Sequence, residues 1–154
     1  YTMPNEVILI AAVTIDGYIA RHVLEVTAWS KDLPLFKKQT MGFPIIMGSN
    51  TFKTLSKELE GRDVIVVRKK DSPVETLSKI SHARCFIVGG GKTFNRFSRY
   101  LTHLYITPHP FVFGKGVPLF GEGDMAELDL EFIKLVEYNK KKGIYQYQYK
   151  VITS

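Results

Sequence analysis

Two stretches of this sequence carry groups that can do chemistry. Asp32 directly precedes LPLFKKQTMG, a segment with an apolar face, where a carboxylate either caps a helix or faces a pocket and holds a ligand. In IVGGGKTFNRF, residues 87–97, three glycines separate an apolar run from a helix-like segment. Such glycines let an anion approach the free N–H groups of a helix N-terminus, although a plain tight turn has the same pattern.

Common phosphate-binding and metal-binding motifs do not match. Gly89 and Gly91 fit the first two positions of G-x-G-x-x-G, but the third position is Phe94, and the first glycine of a P-loop ending at Gly91-Lys92-Thr93 would be Phe86. The four histidines lack metal-ligand spacing, so no metal site is expected. The glycine triplet therefore leaves phosphate binding and a tight turn both open.

Composition narrows the class of protein. The chain has 154 residues, 45% of them hydrophobic, which predicts one globular domain over 1–154. Its net charge of +6 favours an anionic partner, either nucleic acid, a membrane surface or a phosphorylated small molecule, although the short basic groups are also compatible with solvated surface. Cys85 is the only cysteine and no apolar run could span a bilayer, so we expect a cytoplasmic protein without disulfides or membrane association.

Strand and helix patterns alternate along the chain. Buried-strand patterns occupy residues 6–15, 45–48, 63–67 and 85–88, and a further strand pattern covers 103–112. Helical patterns begin after Asp32, at Asn50, after Pro73 and after the glycine triplet, the last running to about residue 101, whereas 114–123 is a glycine-rich loop. Residues 131–139 and 144–152 form a predicted hairpin around KKKG. The order predicts an α/β fold with a mostly parallel sheet, helices on both faces and an antiparallel C-terminal hairpin.

Five segments in order resemble the dihydrofolate reductase family. They are LIAAVTIDGYIA, DLPLFKKQTMGFPIIMGSNTF, LEGRDVIVV, FIVGGGKTFNRF and LYITP, and the resemblance covers roughly residues 6–108. It implies that family's fold and the NADPH-dependent reduction of dihydrofolate by hydride transfer to the pterin ring. The resemblance shifts in the C-terminal third, where the segment PHPFVFGKGVPLF is more similar to riboflavin-pathway reductases of the wider group.

The resemblance implies a role for several side chains in substrate binding. Asp32 corresponds to the essential acid that fixes the pterin and promotes its protonation, with Phe36 as an aromatic wall and Thr107 as a hydrogen-bonding partner of the acid and pterin. Arg62 corresponds to the arginine that binds the α-carboxylate of the folate tail. Plain readings also exist: an N-cap, a core phenylalanine and a surface turn arginine. The implied substrate contacts are Ile10, Ala11, Asp32, Phe36, Leu55, Arg62 and Thr107.

The same resemblance implies an NADPH site. Ser49 stands where most family members place a basic residue for the 2′-phosphate, and Arg68 and Lys69 are the alternative source of positive charge. We further expect a cis peptide bond between Gly89 and Gly90. The implied cofactor contacts are Ala12, Ile19, Gly48, Ser49, Asn50, Thr51, Arg68, Lys69, Gly89, Gly90, Gly91, Lys92, Thr93 and Phe94.

The net charge, the C-terminal segment, Ser49 and an altered lid keep other functions open. Trp29 lies only three residues before the acid, and Gly114-Lys115-Gly116 replaces an acidic loop, so the lid differs. The alternatives are a reductase of a ribosylamino-pyrimidine in riboflavin synthesis or of another pterin-like compound, an inactive reductase-like protein, and a basic nucleic-acid-binding domain, which the absence of aromatic-basic interleaving disfavours. A monomer and a homodimer are both compatible with the sequence.

Overall fold

The computed structural model describes residues 3–25, 29–55 and 59–152. Its strands are β1 (Glu6–Thr14), β2 (Tyr18–Ala20), β3 (Pro44–Gly48), β4 (Asp63–Val67), β5 (Arg84–Gly89), β6 (His103–His109), β7 (Val117–Pro118), β8 (Asp129–Asn139) and β9 (Ile144–Ile152). Its α-helices are α1 (Leu33–Thr40), α2 (Ser49–Leu55), α3 (Pro73–Ser78) and α4 (Gly91–Phe97), and short 3-10 helices follow α4 and β8.

A seven-stranded sheet in the order β4-β3-β5-β1-β6-β9-β8 organises the chain. The pairs from β4 to β6 are parallel, whereas β9 runs antiparallel to both β6 and β8. The predicted α/β fold, with its mostly parallel sheet and antiparallel hairpin, is confirmed. Because β1 lies at the centre, its carboxyl end meets those of β5 and β6 at one edge of the sheet.

Helices cover both sheet faces, and β1 contributes to both cores. Val7 and Leu9 join a cluster with residues of α3 and α4, while Ile8 and Ile10 join one with Leu55 of α2, against which Phe36 of α1 packs. The continuous apolar run of β1 follows from this arrangement, since alternate side chains point to opposite faces. The register is supported by an ion pair of 2.8 Å between Glu6 and Arg84, which face each other at the start of β1 and β5.

Several element boundaries differ from the sequence predictions. Strand β6 ends at His109 rather than at residue 112, since Pro110 supplies no N–H to a ladder and Phe111 N–H instead donates to His109 O. Helix α4 ends at Phe97 and continues only as a 3-10 turn, and β8 begins two residues earlier than predicted. Helix α2 begins at Ser49, one residue before the predicted start. Its predicted extension to residue 59 is wrong at Leu59, which is not helical. Residues 56–58 lie outside the described residues.

A second sheet was not predicted at all. Strand β2 pairs antiparallel with β7, inside the segment interpreted as a glycine-rich loop. Asp16 strengthens this connection, because its carboxylate accepts hydrogen bonds from Thr14 Oγ1 at 2.6 Å and from the Gly114 N–H at 2.8 Å. The hydroxyl of Thr14 is the main reason that the pKa of Asp16 is lowered. Residues 14–20 are thus held against residues 113–118 by strand pairing and by the hydrogen bonds of Asp16.

Cys85 lies in the core, as its position in a predicted strand suggested. It is fully buried, and burial raises the pKa of its thiol to about 12. The thiol therefore stays protonated at neutral pH. A reactive cysteine acts as the thiolate, so Cys85 has a structural role.

Candidate active site

Asp32 occupies the N-cap position of α1, but its carboxylate does not cap the helix. No side-chain cap bond forms; instead, Ser30 Oγ donates to Asp32 Oδ1 at 2.6 Å. The Asp32 backbone carbonyl accepts the first helical hydrogen bond, from Phe36 N–H at 3.0 Å. The N-cap prediction is therefore correct for the backbone, and the largely buried carboxylate, 7% exposed, remains available to a ligand.

An apolar cleft opens beside this carboxylate. The cleft, of about 100 Å³, brings together eight of the predicted contact residues and four further ones. Asp32 is the only ionisable side chain among the described residues that line it, so a cationic ligand group in the cleft would have this carboxylate as its charged partner. The lining residues are Ile10, Ala11, Ala12, Ile19, Trp29, Ser30, Asp32, Leu33, Phe36, Leu55, Val88 and Phe94.

His109 positions the segment that carries the acid. Its Nδ1 lies 2.9 Å from Thr107 O, and its Nε2 accepts the Lys31 N–H at 3.0 Å. A carbonyl oxygen only accepts, so Nδ1 carries the proton and the imidazole is neutral with Nε2 as acceptor. Nε2 also lies 3.9 Å from Asp32 Oδ1. The fully buried histidine thereby ties the residue next to the acid to the end of β6.

Sequence reasoning missed this histidine because it was considered only as a metal ligand. The alternation of β6 contained the signal, since His109 lies two residues after Thr107 and therefore on the same face of the strand. Trp29 packs edge-on against the His109 ring, with centroids 5.4 Å apart. In the described ranges, His, Cys, Asp and Glu form no group of three that could hold a metal ion.

Two buried polar atoms near the acid lack a partner among the described residues. They are Trp29 Nε1 and Thr107 Oγ1. Trp29 lines the cleft, and Thr107 pairs with Ala12, another lining residue, across β1 and β6. Buried donors normally find a partner, so each marks a place where a ligand can complete the hydrogen bonding. Thr107 makes no hydrogen bond with Asp32, the partner that the resemblance implied for it.

Arg62 lies at the opposite end of α1 from Asp32. Its guanidinium donates to Lys37 O at 2.6 Å, to Thr40 Oγ1 at 3.1 Å and to Glu60 O at 2.6 Å. These bonds use three of its five N–H groups and fix the side chain against the last turn of the helix. The acid at the start of α1 and the arginine beside its last turn are therefore separated along a helix whose eight residues rise about 12 Å.

Two strand-to-helix turns meet beside the cleft, at the ends of β3 and β5. One contains Gly48, Ser49, Asn50 and Thr51, and the other contains Gly89, Gly90, Gly91, Lys92 and Thr93. The Gly89-Gly90 bond is cis, as predicted. A Cβ on Gly89 would lie 3.1 Å from Thr51 Oγ1, and one on Gly48 would lie 2.9 Å from Thr93 Oγ1. Glycine thus lets the threonine of each turn pack against the other turn.

At Gly91, the backbone of another loop leaves no room for a side chain. A Cβ there would lie 2.8 Å from Pro118 O and 2.9 Å from Gly121 N, both backbone atoms that cannot move aside as a flexible side chain can. Phe94 N–H donates to Gly90 O, so the N–H groups of Gly91, Lys92 and Thr93 precede the first helical bond of α4. The triplet therefore combines backbone packing with N–H donors that have no intrahelical partner at the helix start.

Arg68 and Lys69 follow β4 on the exposed surface. Arg96 of α4 forms hydrogen bonds with this turn: its guanidinium donates to Arg68 O at 3.1 Å and also to Asp71 O. The Arg68 N–H in turn donates to Asp71 Oδ2 at 2.8 Å. The basic turn is thus attached to the helix that begins at the glycine triplet.

Comparison with known proteins decides the family. The sequence model described as dihydrofolate reductase matches residues 6–114. The chain belongs to the dihydrofolate reductase family. This is a family of NADPH-dependent oxidoreductases, so the expected reductase class and NADPH cofactor are confirmed.

Curated relatives agree with that family. The chain is 30% identical to a dihydrofolate reductase of Bacillus subtilis over 107 residues, which span 60% of this chain and 64% of that enzyme. It is 28% identical to the type 9 dihydrofolate reductase of Escherichia coli over 145 residues, 75% of this chain and 77% of that enzyme.

The fold is shared more widely than the sequence. A dihydrofolate reductase from Enterococcus faecalis complexed with NADP(H) superimposes with a TM-score of 0.73 at 19% identity, covering 98% of this chain and 99% of that one. A diaminohydroxyphosphoribosylaminopyrimidine deaminase/5-amino-6-(5-phosphoribosylamino)uracil reductase from Thermotoga maritima gives 0.76 at 16% identity, covering 97% of this chain and 57% of that one. At 19% and 16% identity, the similarity of these structures shows a shared fold and nothing more. Among the described residues, none of the helices combines the length and the apolar character that a membrane span requires.

The role of His109 can be tested with two amide substitutions. His109→Gln keeps an acceptor near the Nε2 position, so we expect kcat for NADPH-dependent reduction to stay within about threefold of the wild type. His109→Asn reaches only the Nδ1 position and loses the Lys31 bond, so we expect kcat to fall about tenfold, the effect of one net hydrogen bond.

Steady-state kinetics, together with the melting temperature of both variants, measures this difference. An equal loss of stability in both variants with unchanged kcat would show that His109 only supports the fold.

Proposed function

We propose that the chain reduces dihydrofolate to tetrahydrofolate, with NADPH as the hydride donor. The observation that carries this proposal is the Asp32 carboxylate, the one ionisable group among the described residues that line an apolar cleft, together with Trp29 Nε1 and Thr107 Oγ1, which lack a partner. A carboxylate can accept two hydrogen bonds from an amidine-like pterin edge. The apolar walls suit the flat ring, and the two unpartnered groups can bond with the substrate or with a water molecule beside it.

Asp32 is the proposed catalytic residue. Ser30 and the His109–Lys31 contact restrain the segment around the carboxylate, so one oxygen has a donor and the other can point toward the ring. In this position Asp32 fixes the pterin and promotes its protonation through water. Phe36 lies one helical turn further and Leu55 faces it from α2, so these two side chains form walls for the ring.

The length of α1 fits a substrate with a ring at one end and a carboxylate at the other. Asp32 would hold the pterin at the first turn, and Arg62 would meet the α-carboxylate of the glutamate tail at the last turn. The two guanidinium N–H groups that the protein contacts do not use remain for this carboxylate. The backbone bonds that fix Arg62 reduce the conformational entropy lost on binding.

NADPH is proposed to lie across the two glycine turns. The residues present suit its diphosphate: the free N–H groups at the start of α4, the hydroxyl of Thr51, and glycines without Cβ atoms where the backbone must come close. When bound, NADPH supplies the hydride. Ala12, Ile19 and Phe94 line the cleft where the nicotinamide would meet the pterin. Ser49 occupies the position where most family members have a basic residue, so Arg68 and Lys69 supply the positive charge for the 2′-phosphate instead.

Asp32→Asn tests the catalytic assignment. The amide keeps the shape but replaces one acceptor oxygen with an NH2 donor, so it cannot form the bidentate pair with the amidine edge, and we expect dihydrofolate-dependent NADPH oxidation to fall by roughly 100-fold or more. Asp63→Asn, on the exposed start of β4, serves as the matched control and should retain full activity. Spectrophotometric assay at saturating NADPH measures both, and an undiminished rate in Asp32→Asn would contradict the role of Asp32.

Arg62→Lys distinguishes tail binding from a structural role. Lysine cannot form the bidentate pair, so we expect KM for dihydrofolate to rise roughly tenfold. A reduced pterin without the glutamate tail serves as the second substrate, and its kinetic constants should not change. Equal effects on both substrates would assign Arg62 to the stability of α1. Turnover of a phosphoribosylamino-pyrimidine in place of dihydrofolate would overturn the proposed substrate.

Arg68→Gln tests the 2′-phosphate contact. Loss of one charge-assisted hydrogen bond should raise KM for NADPH roughly tenfold and leave KM for NADH unchanged, because NADH lacks that phosphate. Arg99→Gln removes an exposed charge after α4 and is the control for net charge. If the ratio of the two KM values is the same in Arg68→Gln as in the wild type, another group binds the 2′-phosphate.

A further inference from the structure

The basic turn, which spans residues 68–71, holds three like charges in a fixed conformation. The side chains of Arg68, Lys69 and Lys70 are exposed, and none of them has an ion-pair partner among the described residues. The Asp71 N–H closes the turn by donating to Arg68 O at 3.0 Å, and the Asp71 carboxylate accepts the Arg68 N–H at 2.8 Å. Like charges repel one another, so these hydrogen bonds keep together side chains that would otherwise move apart.

Arg96 of α4 binds both ends of the basic turn. One terminal nitrogen of its guanidinium donates to Arg68 O at 3.1 Å, and the other donates to Asp71 O. These are the carbonyls of the first and last residues of the turn, and Arg68 O can accept two bonds because a carbonyl oxygen has two lone pairs. Two donor nitrogens in a rigid, planar group match two fixed carbonyls, whereas a lysine has a single donor nitrogen on a flexible chain. Arg96 therefore sets the position of the basic turn relative to α4.

This contact bridges two strands that are not neighbours. In the sheet, β3 lies between β4, which leads into the basic turn, and β5, which leads into the glycine triplet and α4. Arg96 comes five residues after Gly91, so about 7.5 Å of helix separates the start of α4 from the contact. The basic turn and the glycine triplet thus flank the end of β3, where the neutral Ser49 follows. The turn that Arg96 holds adds the positive charge that Ser49 lacks.

We infer that Arg96 is a positioning residue that gives the protein a preference for NADPH over NADH. This role rests on the proposed contact of Arg68 and Lys69 with the 2′-phosphate. A phosphate monoester carries roughly two negative charges at neutral pH and forms strong hydrogen bonds with charged donors. Because Arg96 holds the basic turn in place before the cofactor binds, less conformational entropy is lost when the phosphate meets these donors. NADH has a hydroxyl at that place, so the ordered charges do not favour it.

Asn95, the preceding residue of α4, provides an internal comparison. Its Nδ2 donates to Phe120 O and to Gly123 O, both at 3.0 Å, so it also links α4 to a loop through two backbone carbonyls. Residues 120–123 contain no basic side chain. Loss of the Asn95 contacts should therefore affect both cofactors equally, whereas loss of the Arg96 contacts should affect NADPH alone.

Arg96→Lys keeps the charge and removes the two-nitrogen contact. Isothermal titration calorimetry of the free protein should give a dissociation constant for NADPH about tenfold above that of the wild type, the effect of about one net hydrogen bond, and an unchanged one for NADH. In Asn95→Ser, the matched control, the ratio of the two dissociation constants should equal that of the wild type even where the melting temperature falls. Circular dichroism verifies that each variant folds.

A double replacement separates positioning from direct binding. Arg68→Gln with Lys69→Gln removes the charges that Arg96 positions, so adding Arg96→Lys to that chain should raise the NADPH dissociation constant no further. A further tenfold rise would make Arg96 a direct ligand of the phosphate, and equal losses for NADPH and NADH in the single Arg96→Lys variant would make it a structural residue. Either result would overturn the positioning role.

The same variants distinguish a failure of the proposed 2′-phosphate site from a failure of the Arg96 role. If Arg68→Gln with Lys69→Gln leaves NADPH binding unchanged, the proposed contact is wrong and Arg96 has nothing to position. If that variant loses NADPH affinity while Arg96→Lys does not, the contact stands and only the role of Arg96 is wrong.

Discussion

The position of β1 between β5 and β6 is the constraint on which the other features depend. Both sides of β1 are buried, so its side chains can serve only packing until the strand reaches the edge of the sheet. At that edge Ala11 and Ala12 present small side chains to the cleft, the glycine turn follows β5, and Thr107 and His109 end β6. Parallel pairing brings these groups together from distant parts of the sequence.

A largely buried carboxylate in an apolar cleft requires specific support. The free energy of removing a charge from water is offset only when hydrogen-bond donors surround it. Asp32 has one donor in Ser30, and the surrounding backbone is held by the His109–Lys31 bond. This support comes from outside α1, so the acid is restrained even though it makes no capping bond with its helix. The fixed backbone leaves the second carboxylate oxygen for a ligand, which is the condition for binding a flat, amidine-like ring with two hydrogen bonds.

Sequence patterns predicted the parts of the fold that depend on local periodicity. The buried run of β1, the apolar face of α1 and the KKKG hairpin all have short-range signals, and the resemblance placed Asp32 and the cis bond at Gly89-Gly90. The β2–β7 pair escaped prediction because two short segments about a hundred residues apart pair through backbone atoms, with no periodic pattern in either. The need for glycine at position 91 could not be predicted from the sequence either, because it depends on the contact with Pro118 and Gly121 from another loop. His109 needed the strand register to be known before its partners could be identified.

Pro118 takes part in two separate connections. It pairs with Tyr18 in the small sheet, next to the segment that leads toward the acid, and its carbonyl lies against Gly91 at the start of α4. The short backbone from 117 to 121 therefore contacts both the strand that carries Ile19, a lining residue of the cleft, and the turn proposed to hold the diphosphate. An inserted residue between these positions would separate the two contacts, because both are made by backbone atoms of the same five residues.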